Sequence, residues 1–314
     1  MNFSARSRQD DSARPVGFVR PANDEVARAA EFIDMNRWDD ASLALRAIVP
    51  IALIDRAWTE FLWAMIADGR RDHAEHEARL RACVTLALAG EFASPSRDEP
   101  LLDGSHDAPR LAALALSALG AAARRGERLD EARSLHAWSL SLRRAGGSLE
   151  EEWDSLMECA ADADVQGRMN DAMDFARVAI ATASRIPSGS AGRQSDGWRR
   201  LSEALDHANR GAEAIEAQRQ SLSFARSHDS GGVAVARAEL RLGSMLLRSA
   251  ARALETGDAF GPAHLAEAAM LLAAARESLA AFGRDHDAEV RWADLQIDFA
   301  VRLRESVAPL TAVE

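Results

Sequence analysis

The sequence contains no lysine and no tyrosine, so its 38 lysine-plus-arginine residues are all arginines. The absence of lysine excludes a P-loop lysine, a Schiff-base lysine and a cofactor bound as a lysine aldimine. Codon usage in a GC-rich genome would explain this bias, and so would selection against lysine modification or tagging. In either case the sequence predicts no lysine-dependent chemistry and no bound cofactor.

Cysteine is also scarce, since only Cys83 and Cys159 occur and no CxxC pair is present. Such spacing does not suit a secreted disulfide framework and fits a reducing compartment better. The formal net charge of −11 disfavours nucleic acid and anionic membranes, which attract clustered positive charge. No apolar run reaches the roughly 18 residues that a membrane span requires. We therefore expect a cytoplasmic protein that binds neither nucleic acid nor membrane.

Apolar residues recur at helical spacing from Asp24 onward, and no segment sustains the alternation of a β-strand. The clearest stripe follows one helix face from Ala172 to Ala183. Clusters of turn-forming residues interrupt the pattern, and the longest of them lies at 91–109. Ser148 and Glu151 have the spacing of a capping box at a helix start. Short turns between such helices predict antiparallel neighbours.

Small residues recur in pairs twelve positions apart, one in each of two consecutive predicted helices. The pairs are Ala29–Ala41, Gly120–Ala132, Ala160–Ala172 and Ser202–Ala214, and in a weaker unit Leu62 replaces the small residue twelve positions before Ala74. Trp198 and Leu201 add the W-x2-L spacing to the fifth unit, and Leu242–Gly243 opens a sixth. This pattern resembles the tetratricopeptide repeat (TPR), in which small residues let two helices approach closely.

The repeat lengths vary, because the second-helix alanines lie 33, 58, 40 and 42 residues apart. Units of this kind resemble the degenerate repeats of bacterial regulators and signalling scaffolds. The resemblance implies an all-α fold, an α-solenoid of five to six antiparallel helix pairs over 23–283 with a loop insertion near 91–109. We predict a flexible leader over 1–22 and a capping helix and tail over 284–314. A non-repetitive bundle, or a two-domain α protein divided at 91–109, is the alternative.

The predicted capping helix has an apolar stripe that should face the array, as the outer face of an end repeat otherwise stays uncovered. The stripe comprises Val290, Ala293, Ile297 and Val301.

His73, His76 and Cys83 form the most suggestive group for metal binding, because histidine and cysteine at helical spacing can share one face. Their order does not match a zinc-protease motif, and an exposed charged face with Cys83 turned inward explains them equally well. We predict no metal site and no catalytic residue.

In the TPR family the first helix of each pair lines a concave surface, and its residues that do not pack on the second helix contact ligands. The resemblance implies partner-binding residues at Trp63, Ile66, Arg124, Arg125, Met157, Asp164, Arg199, Glu203, Asp206 and His207. The family's lysine and asparagine pattern for a C-terminal carboxylate is missing, which disfavours chaperone tails. A plain solvated helix face is the alternative for each residue.

The leading functional prediction is a scaffold or adaptor without catalytic activity that binds a protein or peptide. The alternative is a regulatory module that senses a ligand or peptide and changes curvature, and a helical enzyme is less favoured. A pocket lined by tryptophan and arginine would favour the sensor, and a flat extended groove would favour the scaffold. A buried carboxylate–histidine pair would favour the enzyme.

Overall fold

A computed structural model describes residues 21, 23–48, 52–92, 107–146, 148–187, 190–228, 232–256 and 261–311. Within these ranges the chain is helical and contains no strand, which confirms the predicted all-α class. None of the described helices is long and apolar enough to span a membrane. The predicted leader, apart from Pro21, and most of the predicted insertion at 91–109 lie outside the described residues.

The chain forms two compact units, residues 1–155 and 156–314. The first unit contains α1 (Asp24–Asp34), α2 (Trp38–Ala47), α3 (Leu53–Gly69), α4 (His73–Phe92), α5 (Asp107–Arg125), α6 (Leu129–Gly146) and most of the first half of α7 (Leu149–Val165). The second contains the rest of α7, α8 (Met169–Ser184), α9 (Ser190–His207), α10 (Gly211–His228), α11 (Val233–Thr256), α12 (Gly261–Ala281) and α13 (Asp287–Thr311). The predicted domain limits stay predictions.

Consecutive helices pack as pairs in both units. In the first unit α3 packs on α4 and α5 on α6, and in the second α9 packs on α10 and α11 on α12. Each pair also contacts the next pair within its unit, as α4 contacts α5 and α10 contacts α11. This arrangement of sequence neighbours is that of an α-solenoid and confirms the predicted fold class.

Five helix pairs share one turn, in which a single residue adopts the left-handed backbone conformation. These residues and their φ angles are Asn36 (56°), Arg71 (62°), Glu127 (60°), Gly167 (73°) and Asn209 (59°). The next N–H then donates to a carbonyl five residues back, as from Arg128 to Ala123 at 2.9 Å. A buried second-helix residue always follows five positions after the turn residue. These are Ala41, His76, Ala132, Ala172 and Ala214.

The second pair corrects the predicted register. Ala74 is exposed, whereas His76 is 2% exposed and occupies the position that alanine takes in the other pairs. Its Nδ1 donates to the carbonyl oxygen of Ala64, twelve residues earlier, at 2.9 Å. The small-residue pattern misplaced this pair by two residues, because a histidine that bonds the facing backbone replaces the alanine.

Leucine at Ala172 and at Ala74 distinguishes the two registers. Ala172 is fully buried at the α7–α8 crossing, so Ala172→Leu should cost about 1–3 kcal/mol of unfolding free energy through overpacking. Ala74→Leu should stay within about 0.5 kcal/mol of wild type, because the position is exposed. Denaturant unfolding measures both variants, and comparable losses in the two would contradict the corrected register.

The predicted capping box is confirmed at the start of α7. The N–H of Glu151 donates to Ser148 Oγ at 3.3 Å, and the N–H of Ser148 donates to Glu151 Oε2 at 3.4 Å. Glu151 also accepts from Arg110 Nη2 of α5 at 2.6 Å, while its carbonyl accepts from Arg143 Nη1 of α6 at 2.9 Å. One residue therefore caps α7 and joins it to the α5–α6 pair.

Helix α13 packs on α12 and α11 through part of its predicted stripe. Ala293 is fully buried, but Val301 is 41% exposed, and Ala300 takes the predicted position of Val301 at 4% exposure. The prediction of Val301 was wrong because the next buried residue after Ile297 lies three positions further on, at Ala300, and not four.

Candidate functional site

The first unit places its four predicted partner residues differently from one another. Ile66 is 1% exposed and belongs to the core, so its predicted contact with a partner is wrong for this conformation. Trp63 is half-buried, with the Arg79 guanidinium 5.9 Å from its ring centroid. Arg124 is half-buried, and Arg125 is exposed.

In the second unit Met157 is half-buried on α7, and the other five predicted residues lie on α7 and α9. Arg199 Nη1 donates to Glu203 Oε1 at 2.8 Å along α9. Asp164, Asp206 and His207 all form ion pairs with residues of neighbouring repeats.

These ion pairs occupy equivalent positions in successive repeats, when positions are counted from the small residue of each first helix. The acid four positions after that residue pairs with the base five positions after it in the next repeat. The pairs are Asp68–Arg125 at 3.7 Å, Asp164–His207 at 2.6 Å and Asp206–Arg248 at 2.6 Å. We call them the ladder. Four of the predicted residues therefore connect consecutive first helices, in addition to any role with a partner.

A cleft opens in the second unit along α9, α10 and α11, with one residue each from α12 and α13 at its border. It has two adjoining parts, of about 300 and 400 Å³, which share Asp206, Met245 and Arg248. The smaller part is lined by Ser202, Glu203, Asp206, Gln218, Leu240, Arg241, Ser244, Met245, Arg248 and Trp292. The larger part is lined by Asp206, Gly211, Ala212, Ile215, Arg219, Met245, Arg248, Ser249, Arg252 and His264.

Buried side-chain hydrogen bonds hold the cleft walls in place. Ser202 Oγ donates to the carbonyl oxygen of Ala214 at 2.8 Å and ties α9 to α10. Gln218 Nε2 donates to the carbonyl oxygen of Ala238 at 3.2 Å and ties α10 to α11. Both polar side chains are 1% exposed, and their bonds satisfy groups that would otherwise be costly to bury. These bonds fix α9, α10 and α11 relative to one another, so the cleft walls belong to the folded core of the second unit.

Charge is unevenly distributed along the α9 wall. Burial by itself would raise the pKa of Glu203, but the guanidinium groups of Arg199, Arg200 and Arg241 hold it below its usual range. Glu203 makes ion pairs with Arg199 at 2.8 Å and Arg200 at 3.1 Å. This carboxylate stays ionised and its charge is already compensated.

Arg241 lines the smaller part of the cleft from α11. Its residue is exposed, and it forms no ion pair with any residue in the described part of the chain. Desolvation within the cleft, followed by the nearby charge of Arg199, lowers the pKa of Arg241, and the charges of Glu203 and Asp196 offset only part of this effect. A negatively charged group bound here would relieve this repulsion. The half-exposed Trp292 and Met245 line the same part of the cleft.

The predicted residues Glu203 and Asp206 line this cleft, while Arg241, Met245, Arg248 and Trp292 were missed. The repeat register could have predicted one of these missed residues, Arg248. Applying the fifth unit's offsets to Gly243 of the sixth gives Leu240, Ser244, Leu247 and Arg248, three of which line the smaller part. Trp292 lies on α13, which was assigned to no pair.

The three residues that were considered as a metal-binding group, His73, His76 and Cys83, lie in two different environments. His73 is exposed at the start of α4, whereas His76 and Cys83 are buried further along the helix. Burial, with a smaller effect from Glu60, raises the pKa of the Cys83 thiol to about 12. Among the described residues no three histidine, cysteine or acidic side chains are grouped as a metal would need.

No family model and no curated protein matches the sequence. Solved structures do match the fold. BtubC (BKLC) from P. vanneervenii is 16% identical with a TM-score of 0.56, over 82% of this chain and 91% of its own. The apo form of RapI is 7% identical with a TM-score of 0.55, over 91% and 98%.

Two further structures extend the comparison. TPR-like repeats of a kinesin-light-chain-like protein from Podosopora anserina are 13% identical with a TM-score of 0.50, over 66% of this chain and 95% of theirs. The Rap conjugation gene regulator of plasmid pLS20, in complex with the Phr* peptide, is 12% identical with a TM-score of 0.50, over 91% and 74%. These likenesses and the shared turn geometry establish that this chain has a TPR-like helical-repeat fold.

Proposed function

We propose that this protein acts by binding, without catalytic activity, and that it takes a peptide, or an extended segment of a partner protein, in the cleft of its second unit. The observation that carries the proposal is the cleft itself, whose smaller part is lined by Arg241, which forms no ion pair with a described residue, together with Met245 and Trp292. A planar guanidinium and an aromatic ring that line the same cleft suit a carboxylate that is flanked by apolar groups. The favoured ligand is therefore an acidic segment with an apolar neighbour.

The predicted residues fit this proposal in two ways. Glu203 and Asp206 would orient the ligand at the cleft wall, and Arg199 would fix Glu203. Met157, Asp164 and His207 would extend the surface along the first helices, and Trp63, Arg124 and Arg125 would add a contact surface of the first unit. The Phr* peptide complex supports peptide binding as a use that this fold permits. The scarcity of cysteine supports a cytoplasmic setting, and the degenerate form of the repeats supports a bacterial one.

A second candidate function is a regulatory module that senses its ligand. The observation in its favour is that tryptophan and arginine line a discrete cleft rather than a flat groove. Hydrogen exchange would separate the two functions: a sensor slows exchange throughout α11 and α13 on ligand binding, and a scaffold slows it only at the cleft.

Arg241→Glu should weaken partner binding by more than about tenfold, because it places a negative charge where the ligand carboxylate would bind. The matched control is Arg177→Glu on α8, since Arg177 is exposed and its ion pair with Asp174 lies outside the cleft. Tagged wild type and both variants would be used to capture partners from the source organism, with quantitative mass spectrometry and calorimetric titration of the partner recovered.

Equal loss in both variants would show that overall charge, not the cleft, determines binding. Unchanged binding by Arg241→Glu would place the site elsewhere. An Arg124→Glu/Arg125→Glu variant in the same experiment reports whether the first unit contributes.

A further inference from the structure

Helix α13 has a second apolar face, which the fold leaves uncovered. Trp292, Leu295 and Phe299 are 50%, 59% and 46% exposed, on the side of the helix away from Ala293 and Ala300, and Trp292 lies where this face borders the cleft. We call these three residues the α13 stripe. Large apolar side chains grouped in this way mark sites of association.

The spacing of the stripe is that of a two-helix seam. Its members are separated by three and four residues, which are the steps between a and d positions of a heptad. Ala288 is exposed and precedes Trp292 by four residues, so it extends the seam by one small position. A second helix laid along this face would bury four consecutive seam positions.

The charges beside the seam identify which helix fits. Arg291 and Asp298 border it on one side, seven residues apart, and both are exposed. Neither forms an ion pair with a residue in the described ranges. On the other border Gln296 is uncharged, and Glu289 is already bonded to Arg237 at 2.8 Å. One positive and one negative group therefore remain for a partner.

An antiparallel second copy of α13 satisfies both groups at once. With Trp292 of one copy opposite Leu295 of the other, each Arg291 lies beside Asp298 of the other copy. A parallel copy instead places Arg291 beside Gln296 and Asp298 beside Leu303, which forms no ion pair. The border charges thus select both the partner and its direction.

We propose that this protein forms a twofold-symmetric dimer in which the α13 stripe packs antiparallel against the α13 stripe of a second copy, flanked by two Arg291–Asp298 ion pairs. Such an interface is self-complementary, since the same surface serves both copies. The stripe supplies the buried apolar contact, and the ion pairs fix register and direction.

Sedimentation equilibrium of the full chain over a wide concentration range tests the dimer. The native chain should be dimeric, and Leu295→Asp should raise the dissociation constant at least about tenfold, because it buries a charge in the seam. Met270→Asp is the control, since Met270 is 70% exposed on α12 and should leave the dimer intact. A native chain that is monomeric at every concentration overturns the proposal, as does equal weakening by both variants.

Charge exchange tests the direction of the helices. Arg291→Asp alone and Asp298→Arg alone should each weaken the homodimer, because each variant sets like charges side by side twice. An equimolar mixture of the two variants should form a heterodimer with a dissociation constant near that of the native chain. A mixture no tighter than the separate variants overturns the antiparallel dimer, and circular dichroism verifies that each variant keeps its helices.

Discussion

Replacement of Gly120 by alanine should destabilise the first unit by about 1–3 kcal/mol, although the same exchange in an exposed helix is usually stabilising. Gly120 lies within α5 at its crossing with α6. An added Cβ would lie 2.5 Å from Nε2 and 2.6 Å from Cδ2 of His136. That ring is 1% exposed, and its Nε2 lies 3.1 Å from the carbonyl oxygen of Ser117. The ring cannot move aside without losing this bond or its packing.

Gly192→Ala is the matched control, because a Cβ there would meet His228 at 3.4 Å, an ordinary van der Waals distance. We expect no loss of stability, or a gain of up to about 1 kcal/mol from the better helix propensity of alanine. Thermal and denaturant unfolding measure both variants. Removing the ring with His136→Ala in the Gly120→Ala background should recover part of the loss, as a double-mutant cycle would show. Stabilisation by both alanines would contradict the close approach of α5 and α6.

The second large effect is on the reactivity of Cys83. Alkylation requires the thiolate, and a pKa of about 12 leaves about a thousandfold less thiolate near pH 8 than an ordinary cysteine has. Native Cys83 should therefore react with iodoacetamide at least about a thousandfold more slowly than the same residue in denaturant. A Cys159→Ala background assigns the signal to Cys83, with mass spectrometry as the measurement.

The same pKa shift gives stability a dependence on alkaline pH. The native thiol keeps its proton up to about pH 12, whereas the unfolded chain releases it near pH 9. The contribution of Cys83 to stability is thus complete below about pH 9 and is lost as the pH rises from there towards 12. Cys83→Ala should remove this part of the alkaline destabilisation. Fast native alkylation, or an unchanged alkaline slope in the variant, would contradict the buried environment.

The sequence allowed the fold to be predicted because the small residues that determine helix approach lie twelve positions apart within each helix pair. Ala132, Ala172 and Ala214 occupy the predicted crossings, each fully buried. The second pair was misplaced because His76 meets the same packing demand with a hydrogen bond, which a search for small residues overlooks. Ile66 was assigned to the partner surface for the same reason, since the displaced register turned a core position outward.

The site was less predictable, because a cleft depends on distances between helices far apart in sequence. Glu203 and Asp206 could be placed by repeat register, but Trp292 reaches the cleft from α13, almost ninety residues further along the chain. The availability of Arg241 to a ligand carboxylate depends on the ion pairs around it, because Arg199 and Arg200 already pair with Glu203. That pairing is a property of the assembled second unit.

The ladder has a consequence for how such an array can change length in evolution. Asp164 pairs with His207 and Asp206 pairs with Arg248, so both joints use an acid in one repeat and a base in the next. Excision of the whole α9–α10 pair would bring Asp164 opposite Arg248, which is again an acid opposite a base. A repeat could therefore be lost or duplicated at this place without mismatching the joint, and natural selection could lengthen or shorten the binding surface one helix pair at a time.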